Sequence, residues 1–558
     1  MKKYFVIILC LALFVALTTG CNVSDKKDMQ NDQSGSVNQE VKQPDSSSES
    51  SDTEYKLPLT TEKITLTYFQ PVDIKKIGVH TNDYNELLQF KLFEENTGVH
   101  IEFMHPLAGQ EDQQFNLIVA SNQRPDMMFK RDWSKIAGGP QKLVDNGVFM
   151  NLKESFEKYS PHLRQFLDEH PGIDKQIKTD EGIYYCYPYI RYDQDLKNFM
   201  GYQGRADWLE KLKIAPPQTI AEWENALQLV METDLDGDGD PTNEIPLIAG
   251  LPSEDFTIYG FAGAWGFEPH LYVNKNGKAA FGALQPEYKE YLKTMARWYE
   301  KGYIAQDFIS MDVQQRQAGV MNGTVAFWYE GLGQGMDAFI VALGGDPNII
   351  AAFNYPTLNE HSDTPMFFDG TPSEFGDIGT AITTNTKYPE LCAKWLNYWY
   401  TPEGHEIVNF GQEGVTFNWI DGYPKYVEEI ANNPDLPVSV ALGKYTLGCS
   451  DGPFFHDRHC RNQRMLKWDQ HVEAGSMWKK ADVSGMMPFV SISSDESMEA
   501  ADIQNEVITY VDEMTLQFIL GIRDIDAEFD TFQNTIKGMD IERLLEIYDR
   551  ALERYAER

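Results

Sequence analysis

Hydrophobic and polar positions along the first half of this chain alternate between two periods. Lys63–Phe69 (KITLTYF) alternates in steps of two and predicts a β-strand, and Val99–Met104 (VHIEFM) predicts a second. Between them, Leu87, Leu88, Phe90, Leu92 and Phe93 recur at helical spacing within Tyr84–Asn96, and Gly98 marks the helix end. Phe115–Ser121 reads as a further helix, and Pro125–Phe129 (PDMMF) as a short buried strand. Strand, helix, strand, helix, strand predicts a parallel, doubly wound lobe, with its ligand crevice at the carboxyl ends of the strands. Further on come Val148–Tyr159, Gly182–Tyr189 and helices over Asp207–Leu212 and Trp223–Met231. A second α/β region follows to about Ile350, with Ile245–Ile248, a helix at Glu287–Lys301 and a strand at Thr324–Tyr329. Gly379–Thr384 is strand-like, Pro389–Tyr400 helical, and Ile503–Gly521 and Ile525–Tyr555 make a helical C-terminal region.

The amino end follows neither period. Lys2 and Lys3 precede an apolar run, Tyr4–Leu17, which closes on Leu17-Thr18-Thr19-Gly20-Cys21. This is the form of an export signal, and the Cys after a small residue resembles a bacterial lipobox. Residues 1–20 are therefore expected to be a lipoprotein signal peptide and Cys21 the lipidated residue. From Asn22 to Lys56 the chain is Ser, Asp, Glu, Gln, Asn and Lys with almost no large apolar side chain. Such a stretch cannot bury enough surface to offset its ordering, and residues 21–56 are expected to form a disordered tether. The expected location is the extracellular face of the cell membrane, lipid-anchored.

Composition narrows the partners. With 48 basic and 85 acidic residues the net charge is −37, which argues against nucleic acid and anionic lipid and, more weakly, against a polyanionic ligand, because a local basic pocket is compatible with an acidic surface. Of six cysteines, Cys10 lies in the signal and Cys21 is the lipid site; Cys186, Cys392, Cys449 and Cys460 remain. Cys449 and Cys460 flank a polar loop and are compatible with a disulfide or with buried thiols, and no zinc spacing occurs.

Asp234, Asp236 and Asp238 alternate, followed by Gly239, Asp240, Asn243 and Glu244. A tight turn presenting oxygens at alternate positions suits calcium, and the glycine at the sixth place permits the bend. The twelfth position is Ile245 and the acid falls one earlier, at Glu244, which leaves the late ligand open between Glu244, Thr242 and Asn243. The expected ion is structural.

Aromatic side chains at loop edges make the candidate ligand site: Trp133, Tyr187, Tyr189, Trp265, Trp328, Tyr329 and Trp419, with Arg131, Arg205, Glu330 and Asp377 as polar companions. Flat rings beside a few planar hydrogen-bonding groups suit sugars. Trp208 and Trp223 sit in helices and are expected in the core.

Several segments together resemble the extracellular solute-binding lipoproteins of ABC sugar importers, family 1, in the long oligosaccharide-binding branch that includes alginate-binding proteins. They are Arg205–Leu212 (RADWLEKL), the calcium-like loop Asp234–Pro246, Gly323–Tyr329, Thr401–Gly404 (TPEG) and Gly411–Tyr426 (GQEGVTFNWIDGYPKY). The resemblance implies an α/β, two-lobed, class II periplasmic-binding-protein-like fold that closes on a carbohydrate, performs no catalysis, acts as a monomer and hands its ligand to separate permease subunits. It implies lobes at about 57–190 plus 353–386 and 191–352 plus 387–558. Rival readings are a binder of peptides or another small nutrient, and a secreted glycoside hydrolase, although no segment fixes the pair of acids that a hydrolase needs.

Overall fold

The computed structural model describes residues 55–136, 138–191, 198–251, 258–362, 364–368, 374–493 and 495–558. The expected signal, Cys21 and the tether up to residue 54 lie outside the described residues. Among the described residues, no helix is long and apolar enough to cross a membrane.

Two separate hydrophobic cores define two lobes. The first begins with β1 (Ile64–Phe69), β2 (Val99–Met104), β3 (Met127–Arg131) and β4 (Tyr187–Ile190). The chain then builds the second lobe from β5 (Met200–Arg205), β6 (Ile245–Leu247), the hairpin β7 (Leu271–Val273) and β8 (Ala279–Phe281), β9 (Val325–Gly331) and β10 (Ile350–Ala352). It returns to the first lobe with β11 (Phe375–Ile382) and the hairpin β12 (Phe417–Ile420) and β13 (Tyr423–Tyr426).

The first-lobe sheet runs β2-β1-β3-β11-β4. β1 pairs in parallel with β2, Ile64 opposite Val99 through Phe69 opposite Met104, and with β3. The expected doubly wound, parallel character holds for these three strands. β11 runs antiparallel to both β3 and β4, so the complete sheet is mixed. The second sheet runs β10-β5-β9-β6, with only β6 and β9 parallel.

Local signals explain the elements that frame the crevice. The helix Leu88–Thr97 buries Phe90 and Phe93 and ends at Gly98, whose φ of 73° is the left-handed conformation open to glycine. A Cβ there would lie 2.4 Å from the Thr60 carbonyl oxygen, so the close approach needs glycine as well. The helix Ile220–Met231 starts with a reciprocal capping box between Thr219 and Glu222.

The expected lobe boundaries are corrected. Residues 353–368 were expected in the first lobe, yet Phe353, Tyr355 and Phe367 lie in the second core. Residues 387–460 were expected in the second lobe. They pack instead into the first core: the helix Pro389–Tyr398 buries Cys392, Trp395 and Leu396, and Trp395 meets Tyr68 and Phe93 edge-on at 6.1 and 6.2 Å. The second lobe is completed by the later helices, with Val507, Phe518, Phe532 and Leu544 in its core. The C-terminal stretch Ile525–Tyr555 is helical as expected and consists of two helices, Ile525–Gly538 and Ile541–Glu557, parted at Asp540, whose φ is 57°.

Among the described residues the chain therefore passes between the cores between residues 190 and 199, 368 and 375, and 460 and 465, and it touches the first core again at Phe489. Trp208 and Trp223 lie in the second core as expected. Cys186, Cys392, Cys449 and Cys460 are buried free thiols.

Candidate functional site

The carboxyl ends of β1 and β3 open into a cavity of about 680 Å³. Its wall includes Phe69 and Gln70 at the end of β1, Arg131 and Asp132 at the end of β3, and the loop 71–76. Gln70 is 1% exposed, and its side-chain carbonyl has no hydrogen-bond partner. This cavity shares Lys76, Arg191, Ser450 and Asp451 with a second cavity of about 220 Å³, so the two form one cleft. The smaller cavity lies where the chain crosses between lobes. It takes Tyr189 and Arg191 from the end of β4, Phe199 before β5, Leu332 and Gly333 after β9, and Arg461, Arg464 and Met465 from the third crossing.

Asp451 is the electrostatic centre of the cleft. Its carboxylate pairs with Arg131 at 2.8 Å and Arg191 at 3.5 Å. Burial opposes its charge, yet Arg131, Arg191, Lys76 and Arg464 together hold its pKa below the ordinary carboxylate value. Arg191 also lies over the Tyr189 ring at 5.0 Å. His456 lies 2.8 Å from the Tyr189 hydroxyl through Nδ1 and 3.1 Å from the Arg464 guanidinium through Nε2. A guanidinium only donates, so Nε2 accepts and the ring proton sits on Nδ1, facing Tyr189. Burial, with Arg464 and Arg461 beside it, pushes the His456 pKa well below its usual value and keeps the ring neutral.

A third cavity, about 450 Å³, lies between the first lobe and the C-terminal helices. Asp377 lines it from β11, 3% exposed and at a φ of 55°. Its carboxylate accepts from the Ser134 backbone at 2.9 Å and the Ser134 hydroxyl at 2.6 Å. Burial raises its pKa to about 6, against the pull of those two bonds. Beside this cavity Arg554 and Arg558, at the end of the last helix, both meet Asp180 of the first lobe at 2.6 Å.

The structure separates the other residues singled out from sequence. Tyr189 lines the smaller cavity and Asp377 the third. Trp133 is wholly buried and packs edge-on against Phe149 at 5.5 Å. Tyr187 is buried with its hydroxyl on Ser160. Trp328 is wholly buried, edge-on to Phe339 and donating to Gln203, and Tyr329 is 3% exposed beside Tyr202. Glu330 accepts from the Gly331 backbone. Arg205 pairs with Asp207, donates to the Gly323 carbonyl and covers Trp208, so it braces the turn from β5 into the helix Ala206–Leu212. Trp265 is half-buried against Tyr291, and Trp419 is exposed on the β12–β13 hairpin. None of Trp133, Tyr187, Arg205, Trp265, Trp328, Tyr329, Glu330 and Trp419 lines the three cavities. Lys76, Arg191, Asp451, His456 and Arg464 do line the cleft and went unread, because isolated charges in a polar loop carry no periodic signal.

The acidic loop suits a hard cation. Asp234, Asp236 and Asp238 each bring a carboxylate oxygen within 4.8 Å of the others. Glu244 is 4% exposed; one oxygen accepts from the Leu235 backbone at 2.6 Å, and the other is buried without a partner. The three clustered carboxylates form an all-oxygen donor set of the kind calcium takes, and Glu244, in the same loop, holds a buried carboxylate oxygen without a partner. Asp240 accepts from Thr242, and the Asn243 amide donates to Asp238.

The profile of the family described as bacterial extracellular solute-binding protein matches residues 79–406. A fructooligosaccharide ABC transporter substrate-binding protein of Streptococcus pneumoniae serotype 4 is 27% identical over 347 residues, 60% of this chain and 61% of its own. The match thus spans about three-fifths of that relative. A polygalacturonan/rhamnogalacturonan-binding protein of Bacillus subtilis strain 168 is 24% identical over 226 residues, 40% of this chain and 42% of its own. The crystal structure of an alginate-binding protein without calcium ion, 21% identical, superposes with a TM-score of 0.72 over 89% of this chain and 99% of that one.

Asp377 gives a pH-dependent prediction. Its folded pKa lies above the ordinary 3.8, so the folded state holds the proton more tightly than the unfolded chain. Its contribution is fully present below about pH 4 and is lost as pH rises through about 6. Asp377→Asn keeps an acceptor for Ser134 and removes the buried charge. It is expected to stabilise the protein by on the order of 1–3 kcal/mol at pH 8, and less and less as pH falls from 6 toward 4. Urea unfolding at several pH values measures this; an equal gain at every pH contradicts it.

Proposed function

The chain belongs to the bacterial extracellular solute-binding protein family, and from that premise we propose that it captures a carbohydrate, an oligosaccharide, between its lobes and delivers it to the permease subunits of an ABC importer. The observation that carries this reading is the continuous cleft of two cavities at the strand ends and lobe crossing. Its wall mixes apolar surface, such as Ile74 at 55% exposure, with planar hydrogen-bonding groups, Gln70 and Arg131. That mixture suits a ring with CH faces and hydroxyls. Relatives named for fructooligosaccharides and for polygalacturonan/rhamnogalacturonan favour a sugar over a peptide. The role is binding, without catalysis, by a monomer. Of the residues read from sequence, this proposal keeps Tyr189 and Arg131 in the wall of the cleft. Calorimetric titration and solution scattering with a panel of oligosaccharides test it. The expected result is saturable binding with compaction of the particle; binding of peptides alone, or turnover of a glycan, overturns it.

Calcium is proposed at Asp234, Asp236 and Asp238, with Glu244 as the late ligand. When bound, the ion would balance carboxylates that otherwise repel one another and fix the loop between the helix Ile220–Met231 and β6. Chelation is expected to lower the melting temperature, and Asp236→Ala to reproduce the loss in the presence of calcium. Identical melting with and without chelator, and no metal in the purified protein, removes the site.

Anchoring at the extracellular face through Cys21 is likewise proposed, on the export-signal pattern of the first 21 residues. Cys21→Ser is expected to move the protein from the membrane to the soluble fraction. Retention equal to the wild type rejects the anchor.

A further inference from the structure

A chain with a net charge of −37 nevertheless places a cationic cavity at the crossing of its lobes. Among the described residues, its wall carries Lys76, Arg191, Arg461 and Arg464 against the single carboxylate of Asp451. The partners of these groups decide whether positive charge is left over. Lys76 is balanced by Asp73 at 3.2 Å. Asp451 is divided between Arg131 and Arg191, so two guanidiniums share one negative charge. Among the described residues Arg464 pairs with no carboxylate; it donates to the neutral His456, and its Nε is buried without a partner. Asp457, the next acid along the chain, is taken up by His405 at 3.0 Å and by the backbone of His459 at 2.6 Å.

Among the described residues, with Arg461 set aside, Arg464 and the Arg131–Arg191 pair still present an excess of positive charge. A desolvated guanidinium with an unused donor is costly unless an anion completes it, and a carboxylate or sulfate offers the paired acceptor oxygens that suit it. At about 220 Å³ the cavity is below the range of roughly 300–1,000 Å³ common for whole ligand pockets, so it suits one unit of a chain that continues into the larger cavity. Gly333, at a φ of 71°, keeps the second lobe's wall close: a Cβ there would lie 2.9 Å from the Arg464 carbonyl oxygen.

We propose that the cleft selects an acidic oligosaccharide, one sugar unit of which places a carboxylate or sulfate group in this cavity against Arg464 and Arg191. The proposal rests on the carbohydrate reading and adds the charge of the ligand. Tyr189, held by Arg191 and His456, lines the cavity beside that unit and fixes the Arg191 guanidinium in place.

The test is a thermal-shift screen followed by calorimetry, using short oligo-uronides and sulfated oligosaccharides beside neutral oligosaccharides of equal length, with free acetate and sulfate as a separate arm. The wild type is expected to bind an acidic glycan, more weakly as salt is added. Arg464→Gln is expected to lose about tenfold or more in affinity for it, with Arg464→Lys intermediate. If Arg464→Gln does not fold, Arg191→Gln carries the same expectation; wild-type affinity of either folded variant for the acidic glycan overturns the proposal. Binding of neutral glycans alone overturns it and leaves the carbohydrate reading in place. Protection by free acetate or sulfate equal to that by every acidic glycan reduces the cavity to a simple anion site and overturns it too. Binding of no glycan overturns both.

Discussion

The Asp451 carboxylate is the constraint on which the cleft depends. It reaches Arg131 at the end of β3 and Arg191 at the start of the first crossing between lobes. One acid thereby ties the end of the central strand β3 to the chain that leaves the edge strand β4. A buried carboxylate facing two arginines stays charged, and charge-assisted hydrogen bonds are directional as well as strong. The Tyr189–His456–Arg464 chain continues the same network to the third crossing. The floor of the cleft is thus a set of mutually oriented polar groups, set between two apolar cores that each close on themselves.

The elements of the first lobe were legible because each carries its own period. KITLTYF alternates, the helix after it repeats its apolar residues every three or four positions, and both formed nearly where expected. The direction of β11 was not legible. A strand's pattern says which faces are buried, and β11 arrives from the second lobe to pair on its two sides with strands far away in sequence. The lobe boundary failed for the same reason. The helix Pro389–Tyr398 is apolar on most of its surface and would satisfy either core; Trp395 belongs to the first because Tyr68 and Phe93 stand there.

The candidate site was legible in kind and only in part by residue. An aromatic at a loop edge is a weak indicator, since a large ring gains most from full burial. Trp133 and Trp328 took that course, with Phe149 and Phe339 against them. The acidic loop was easier to read, because its information is local: alternating carboxylates and a glycine lie within one turn. The cleft's own charges come from four separated stretches of chain, and only folding brings them together.

The pairing of Asp180 with Arg554 and Arg558 carries a consequence for motion. It joins the first lobe to the last helix on the face that holds the third cavity. Any movement that widens this face parts one carboxylate from two guanidiniums. Small ions screen such charges over a Debye length of about 8–10 Å. The closed pairs sit at 2.6 Å, well inside that length, with Asp180 and Arg558 largely buried, so salt weakens them little and this side of the molecule keeps the same latch in dilute and briny media alike.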